Sequence, residues 1–378
     1  MATLYDKVLH NQRRKEQGKV NSIYWSLPRL TSEYDYPGFI KGKYFGVTAN
    51  SSIGKTQFTK WLTIYSTYNQ WIRSNYSFDW KIKWFALEES EEEFWFTMLS
   101  LVLYHNSSGK IKLSSTSIQG FTKRVLTPVE LAAISAAEKS SFFKTLLEKV
   151  EVYDDIHNPT GIKRKMDEYF LTPEIGKWDV ESYKGKDHIK NYRQLTDDLY
   201  VFTVVDNNNL LQEEKNFFTD SMMNKSQTME FYSMTYALNV FCKRYGGIAV
   251  DVQQQAADSE SQIFTNRGGL IERKLEPSLD SIGDSRKTPR NWDVGLGLFN
   301  PIRYEIDNIE GLDIRIPILN YGRSFRRLLF LKDRLGGKEG SRLNLYFEGF
   351  TPYFEEMNTS KFYRENPMML EKIPTYKL

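Results

Sequence analysis

Tyr44-Phe-Gly-Val-Thr-Ala-Asn-Ser-Ser-Ile-Gly-Lys-Thr56 joins a compact apolar stretch to a polar turn, and a helical pattern follows from about Lys55 to Arg73. Residues 44–48 read as a short strand bounded by turn signals. The next eight residues, Ala49, Asn50, Ser51, Ser52, Ile53, Gly54, Lys55 and Thr56, have the phosphate-loop spacing, with Ala49 where the usual pattern carries Gly. The chemistry needs that layout. Backbone N–H groups of the turn and of the helix N-terminus point at phosphate oxygens, and the helix dipole favours their charge. Lys55 can reach the β- and γ-phosphates of a nucleotide, and the Thr56 hydroxyl can ligate Mg²⁺. Such a match arises by chance in roughly a few per cent of chains this long. A strand before it and a helix after it lower that by about another order of magnitude. Nucleotide binding is therefore the first expectation.

Hydrolysis would need carboxylates near that loop. Thr203-Val-Val-Asp206 ends an apolar strand with an acid suited to holding a magnesium shell through water. In many phosphate-loop motors a Glu follows this Asp directly, but here Asn207, Asn208 and Asn209 follow, so the general base must come from elsewhere. Trp84-Phe-Ala-Leu-Glu88 ends another short strand. A strand neighbouring the phosphate loop in a parallel sheet would bring Glu88 to the same carboxyl edge, where ligands bind. Glu91, Glu92 and Glu93 are expected to complement a helix N-terminus, with Ser90 and Glu93 as a capping-box pair. Glu89 stays open between the two roles.

Working outward, strands are expected over 82–87, 150–153, 200–205, 248–252, 295–299, 326–331 and 343–347. Helices are expected from the Ser90 cap to His105 and over 126–150, 160–170 and 226–244. The alternation argues for an α/β fold, a mostly parallel twisted sheet with helices on both faces. The last strands lack intervening helices, so an antiparallel edge is expected near the C-terminus. Residues 171–199 are polar with turn signals and read as an insertion. Residues 1–20 read as a short basic amphipathic helix or as a frayed terminus, and both stay open. The Tyr- and Trp-rich segment 23–43, broken by Pro28 and Pro37, suggests an extended approach packed on the core.

Composition narrows the class. The chain is 40% hydrophobic and 26% charged, ordinary for a globular protein with a substantial core. Its 24 Phe, 23 Tyr and 8 Trp can fill that core or stack on bases, which composition does not separate. A net charge of +3 gives no overall basic field, though a channel needs only local positive loops to grip nucleic acid. Cys242 is the single cysteine, which rules out a disulfide framework and fits a reducing cytosol. The scattered His10, His105, His157 and His188 argue against a structural zinc site. The polar start of the chain lacks a signal-peptide pattern, and the apolar run 94–104 is too short to span a bilayer. A soluble cytoplasmic protein without a membrane partner is expected.

A catalytic Glu on the strand after the phosphate loop resembles the RecA-like ATPases. Further motifs narrow the likeness. Ile248-Ala-Val-Asp-Val-Gln253 resembles the strand ending in a γ-phosphate-sensing Gln of DnaB-like hexameric replicative helicases. Gly283-Asp-Ser-Arg286, then Asn291-Trp-Asp293 and an apolar strand, resemble the segment after a DNA-binding loop in that family. Lys332-Asp-Arg-Leu-Gly336 resembles its Lys-x-Arg-x-Gly element, and 150–155 (Val-Glu-Val-Tyr-Asp-Asp) also has a counterpart. The motifs stand in family order over about residues 35–356.

The resemblance implies a RecA-like phosphate-loop core, ATP and Mg²⁺ as cofactors, and a ring-shaped homo-hexamer translocating 5′-to-3′ on single-stranded DNA during replication. It implies that Lys332 and Arg334 act in trans on a neighbour's ATP, Arg334 as the arginine finger. DNA contacts would come from Arg267, Arg273 and Lys274 in the loop 256–275 and from Arg286, Lys287 and Arg290 after it. A primase or helicase loader is the implied protein partner. The division expected is 1–40 as a linker or interaction segment, 41–356 as the motor domain, and 357–378 as a tail. A phage-encoded member lacking the N-terminal domain would fit. A recombination or regulatory ATPase of the RecA or KaiC type shares the core and is the alternative.

Overall fold

An apolar strand buried on both faces has to lie inside a sheet that helices cover on each side, and the strand leading to the phosphate loop is of that kind. In the computed structural model, which describes residues 3–32, 34–183, 186–216, 219–256, 275–304 and 324–357, every residue of β1 (Tyr44–Ala49) is buried. It follows α1 (Leu4–Glu16) and the short α2 (Pro28–Ser32). The phosphate-loop helix begins as α3 (Lys55–Lys60), widens into a π turn over Trp61–Tyr65, and continues as α4 (Ser66–Arg73). Then come β2 (Asp79–Ala86), α5 (Glu91–Asn106), α6 (Ser115–Ile118), α7 (Pro128–Glu138), α8 (Ser141–Lys149), β3 (Val150–Tyr153) and α9 (Pro159–Phe170). Residues 171–199, expected as an insertion, contain a hairpin of β4 (Gly176–Tyr183) and β5 (Lys186–Gln194). After it come β6 (Leu199–Asp206), α10 (Lys225–Phe231) with a π continuation to Arg244, β7 (Ile248–Gln254) and β8 (Val294–Phe299). The last elements are β9 (Phe325–Asp333), β10 (Arg342–Glu348) and β11 (Tyr353–Glu356).

Among the described residues the main sheet runs β11-β10-β9-β8-β1-β7-β6-β2-β3. From β8 to β3 every pairing is parallel. The pairings of β9, β10 and β11 are antiparallel and form the expected C-terminal edge. One face of the sheet packs Val47, Ile82 and Val204 against Phe58 and Trp61 of the phosphate-loop helix and against α5 and α8. The other packs Phe85, Val205 and Ala249 against Met166 and Phe170 of α9 and the α10 continuation. On that second face Trp292 lies directly on the β1 backbone, where a Cβ on Gly46 would meet its ring at 2.1 Å.

Several expectations need correction. β2 is not the neighbour of β1, because β7 and β6, later in the chain, insert between them. Residues 126–150 form two helices because Thr127 closes a capping box with Glu130 ahead of Pro128, and Ser140 caps a second start. The start of the chain is helical and tied down: Arg14 pairs with Asp198 at 2.7 Å, beside the start of β6. The approach segment contains the one-turn α2, and Ile23 bridges Phe39.

Candidate nucleotide-hydrolysis site

Ala49 is the last residue of β1, flanked by Gln254 and Leu298 in the adjoining strands, and its methyl joins the core. A side chain is tolerated there because the turn comes later, at Ser52 (φ 60°) and Gly54 (φ 101°). Gly54 needs its lack of a side chain, since φ lies in the left-handed region and a Cβ would sit 3.2 Å from the Phe347 ring. No side chain caps α3, so its first N–H groups are left for a ligand. A cleft of about 280 Å³ opens between the loop, Glu88, Glu89 and Asp206, and Lys55 and Thr56 line it.

β6 and β2 end side by side, with Ala86 paired to Asp206. This brings the two carboxylate positions to one rim although β2 lies two strands further from β1 than expected. Asp206 is only 2% exposed. Burial pushes its carboxyl up to about 7, helped by the negative charge of Glu89, while a hydrogen bond from Thr56 and the charges of Lys55 and Lys60 pull it down. Its Oδ1 has no hydrogen-bond partner. A buried, unpartnered carboxylate oxygen beside a threonine hydroxyl is a fitting donor set for a hard divalent cation. No cluster of three or more His, Cys, Asp or Glu is found among the described residues. A cation here would complete its shell with phosphate and water oxygens, as Mg²⁺ does.

The two adjacent glutamates separate cleanly. Glu89 places its carboxylate oxygens 2.7 and 2.8 Å from Nζ of Lys60, an ammonium that is almost fully buried and sits 4.4 Å from the Phe94 ring centroid. Glu88 has a side chain 50% exposed, with Oε2 3.8 Å from Lys55 Nζ. Glu89 is committed to an ion pair, whereas Glu88 is open to water at the mouth of the cleft. Glu93 closes the capping box with Ser90, as expected.

Gln253 does not face this cleft. Side chains alternate along a strand. On β7, Ile248 and Val250 face the phosphate-loop helix, while Ala249 packs on the opposite side. Gln253 falls on that opposite side, where its Nε2 donates to the carbonyls of Gly283 at 3.0 Å and Ser285 at 3.3 Å. The residue on the phosphate-loop side is Gln254, beside Ala49 in the register. A motif match carries an uncertainty of one position, and in a strand one position is a change of face.

Sequence reasoning also missed a brace. Arg326 Nε donates to the Ile53 carbonyl at 2.9 Å with its guanidinium 4.9 Å from the Phe347 ring centroid, and burial pulls that guanidinium down to about 10. Arg303 donates to the Ser51 carbonyl, and Asn50 Nδ2 donates to the Tyr304 hydroxyl at 2.6 Å. The available signal was a pair of arginines, 326 and 327, opening an otherwise apolar strand.

The remaining candidates lie elsewhere. Lys332 pairs with Gly295 and, through it, with Gly46 near the start of β1, at the amino edge of the parallel strands. Its Nζ donates to the carbonyls of Pro289 at 2.9 Å and Arg290 at 2.8 Å, and Arg334 Nη2 reaches the Arg290 carbonyl at 3.4 Å. Burial, reinforced by the charge of Arg334, pulls the Lys332 ammonium down to about 8. Arg286, Lys287 and Arg290 are exposed, and Lys287 pairs with Glu230 at 3.1 Å. Arg267, Arg273 and Lys274 lie outside the described residues.

No helix among the described residues is long and apolar enough to cross a membrane. No family model matches the sequence, and no curated protein sequence matches it. Solved structures do. One solved ATPase domain superposes with a TM-score of 0.60 at 12% identity, over 95% of this chain and 100% of that one. A DnaB-like replicative helicase, solved with attention to its interactions with primase, gives a TM-score of 0.59 at 13% identity, over 95% of this chain and 68% of that one. The chain thus has the RecA-like α/β fold of the ATPase domains of DnaB-like helicases.

Proposed function

We propose that this chain is an ATP-driven DNA helicase motor working as a ring of identical copies, most simply a hexamer. The observation that carries the reading is the division of labour between two rims. Lys55, Thr56, Glu88 and Asp206 gather on one rim, and the cation pair Lys332 and Arg334 stands on the other. Lys332 is level with Gly46, about 10 Å along β1 from Ala49 at ~3.3 Å per residue, and Arg334 lies beyond it toward the amino edge. A cation that cannot reach its own phosphates but must still serve them has to serve those of a neighbour.

In this reading the loop amides and Lys55 bind and orient the phosphates, and Thr56 and Asp206 hold Mg²⁺. When bound there, the cation would supply positive charge to the β- and γ-phosphate oxygens. Glu88 accepts a proton from the attacking water as its oxygen bonds to the γ-phosphorus and the bond to the β–γ bridging oxygen breaks. Gln254 takes the γ-phosphate-sensing place first given to Gln253. The neighbour's Arg334, with Lys332 beside it, supplies positive charge to the outgoing phosphoryl group. Single-stranded DNA would be held by Arg286, Lys287 and Arg290, with Arg267, Arg273 and Lys274 of the preceding loop. Likeness to a helicase known for its interactions with primase extends the reading to a primase or loader as partner. The 5′-to-3′ polarity, the replicative setting and the division into segment 1–40, motor 41–356 and tail belong to the same reading.

The test is ATP turnover with and without single-stranded DNA, run beside displacement of a strand from a forked duplex. DNA-stimulated turnover with ATP-dependent displacement is expected. Hydrolysis with strand pairing or filament formation, and no displacement, would move the chain to the recombination or regulatory class. Absence of hydrolysis would overturn both.

A further inference from the structure

The three asparagines that follow Asp206 form a buried clasp. Asn207 Oδ1 accepts from the Asn209 backbone N–H at 3.1 Å and turns the chain back after β6. Asn208 Nδ2 donates to the buried carboxylate of Asp251 on β7 at 3.0 Å. Asn209, 7% exposed, reaches in two directions. Its Oδ1 accepts from the Gln254 backbone N–H at 2.9 Å, and its Nδ2 donates to Asp284 Oδ2 at 2.8 Å. The partners fix the orientation of the amide: a backbone N–H can only donate and a carboxylate can only accept, so oxygen must face Gln254 and nitrogen Asp284.

What Asn209 joins makes it more than a turn residue. Residues 281–285 lie against the end of β7: Ala256 N donates to the Ser281 carbonyl at 2.7 Å, Gly283 N to the Gln254 carbonyl at 3.0 Å, and Gln253 Nε2 to both Gly283 and Ser285. These bonds fix residues 281–285, directly ahead of Arg286, Lys287 and Arg290, against the end of β7. Asn209 ties this anchor to the end of the strand carrying Asp206. Lys225 Nζ, 3.7 Å from the same Asp284 oxygen, supports the carboxylate from α10.

We infer that Asn209 is a positioning residue that couples DNA held by Arg286, Lys287 and Arg290, which follow Asp284, to the carboxylate end of β6, and so to ATP turnover. This rests on the proposed helicase reading and deepens it. Coupling between binding sites is reciprocal, so through this bond ATP should change DNA affinity as DNA changes nucleotide affinity; stimulation of turnover is a separate kinetic readout of the same connection.

The test uses the full chain with Asn209→Asp, Asp284→Asn and the double exchange. Asn209→Asp still accepts from Gln254 but sets two carboxylates face to face. Asp284→Asn alone keeps an acceptor for Asn209 Nδ2. The double exchange restores a donor opposite a carboxylate. The readouts are the ratio of DNA-stimulated to unstimulated turnover, and single-stranded DNA affinity with and without a non-hydrolysable ATP analogue. Expected is a fall of about fivefold or more in both ratios for Asn209→Asp, toward the low end of known coupling factors. The double exchange should recover them and Asp284→Asn should differ little from the parent. Should Asn209→Asp fail to fold, recovery in the double exchange compared with Asn209→Ala carries the same decision. Unchanged ratios in Asn209→Asp, or equal loss in the double exchange, would overturn this inference alone. Absence of hydrolysis by the parent chain would overturn the functional reading, and this with it.

Discussion

The carboxyl rim and the amino rim of the parallel strands carry equally suggestive charges, yet they are built oppositely. At the carboxyl rim Asp206 keeps an oxygen unpartnered and Glu88 is half exposed, so functional groups are left unsatisfied around a hollow. At the amino rim Lys332 and Arg334 lean on the carbonyls of Pro289 and Arg290. Unsatisfied buried groups need an explanation, and the proposed function supplies one for Asp206 in a bound cation. Cations resting on backbone carbonyls have a local partner that a stronger anion can replace. In the proposed reading the first rim receives a nucleotide, and the second acts only against another copy.

The largest effects come from breaking this division. Lys55→Ala should abolish turnover together with tight nucleotide binding. Arg334→Ala should lower turnover by about 10³-fold or more, the effect expected of an arginine finger, while equilibrium binding of a labelled ATP analogue changes little. Mixing the two variants is the sharper measurement. An interface joining an intact cleft to an intact Arg334 forms only in mixed assemblies, so activity should reappear at intermediate ratios. Absence of recovery at every ratio would place Arg334 outside the neighbour's site and collapse the comparison.

Within the carboxyl rim, Glu88→Gln should lower the rate of the chemical step by about 10² to 10⁴, the range for a lost general base. Glu89→Gln should instead act through the Lys60 ion pair, since removing one partner leaves a buried ammonium uncompensated, at a cost of about 3–5 kcal/mol. Single-turnover rates set beside denaturant unfolding separate the two. A Glu89→Gln variant that folds normally but loses the chemical step would reverse the assignment.

These distinctions mark what was legible in the sequence. The phosphate loop was, because its chemistry is local and its residues are contiguous. Asp206 and Glu88 were, because each ends an apolar run and a parallel sheet sends such ends to one rim. The order of strands was not: the insertion of β7 and β6 between β1 and β2 is a matter of tertiary packing, and the sites survive it only because rim position does not depend on adjacency. Gln253 was misread because a motif match ignores the period of two. Arg326 and Arg303 were missed because their partners are backbone carbonyls, so the arginine pair at 326–327 was visible but what it braces was not. The split of 126–150 was legible, in Thr127-Pro128 and Ser140-Ser141, and was passed over in favour of one long apolar pattern. β11, four residues long, had too little pattern to read.

The glutamine correction yields a smaller test. Gln254→Ala should lower turnover by about tenfold or more if the side chain touches the γ-phosphate, with little effect on unfolding. Gln253→Ala should mainly destabilise the fold, by about 1–3 kcal/mol for buried groups left without partners, because the carbonyls of Gly283 and Ser285 lose their shared donor. Reversal of this pattern would return the sensing role to Gln253 and imply that the face assignment of β7 is wrong.

The mildest effect is on pH dependence, and it isolates Asp206. Its carboxyl is raised to about 7 from an ordinary 3.8. The folded chain therefore holds a proton that the unfolded chain has released between those values. The contribution of this group to metal-free stability is fully present below 3.8 and is lost as pH rises through about 7. Mg²⁺ needs the carboxylate, so its binding competes with that proton: apparent affinity for the Mg²⁺–nucleotide should fall about tenfold per pH unit below 7 and level off above it. Asp251 is also raised to about 7, but it faces Tyr44 and Asn208 on the opposite side of the sheet and takes no part in the cleft. Thermal stability alone would blend the two groups. The increment in melting temperature on adding Mg²⁺ and nucleotide, measured across this range, cancels Asp251, and comparison with Asp206→Asn cancels the titration of the nucleotide's own phosphate. A parent chain whose increment follows pH no more steeply than that of Asp206→Asn would remove Asp206 from the metal site, and with it the strongest physical reason for calling the carboxyl rim a receptor for nucleotide.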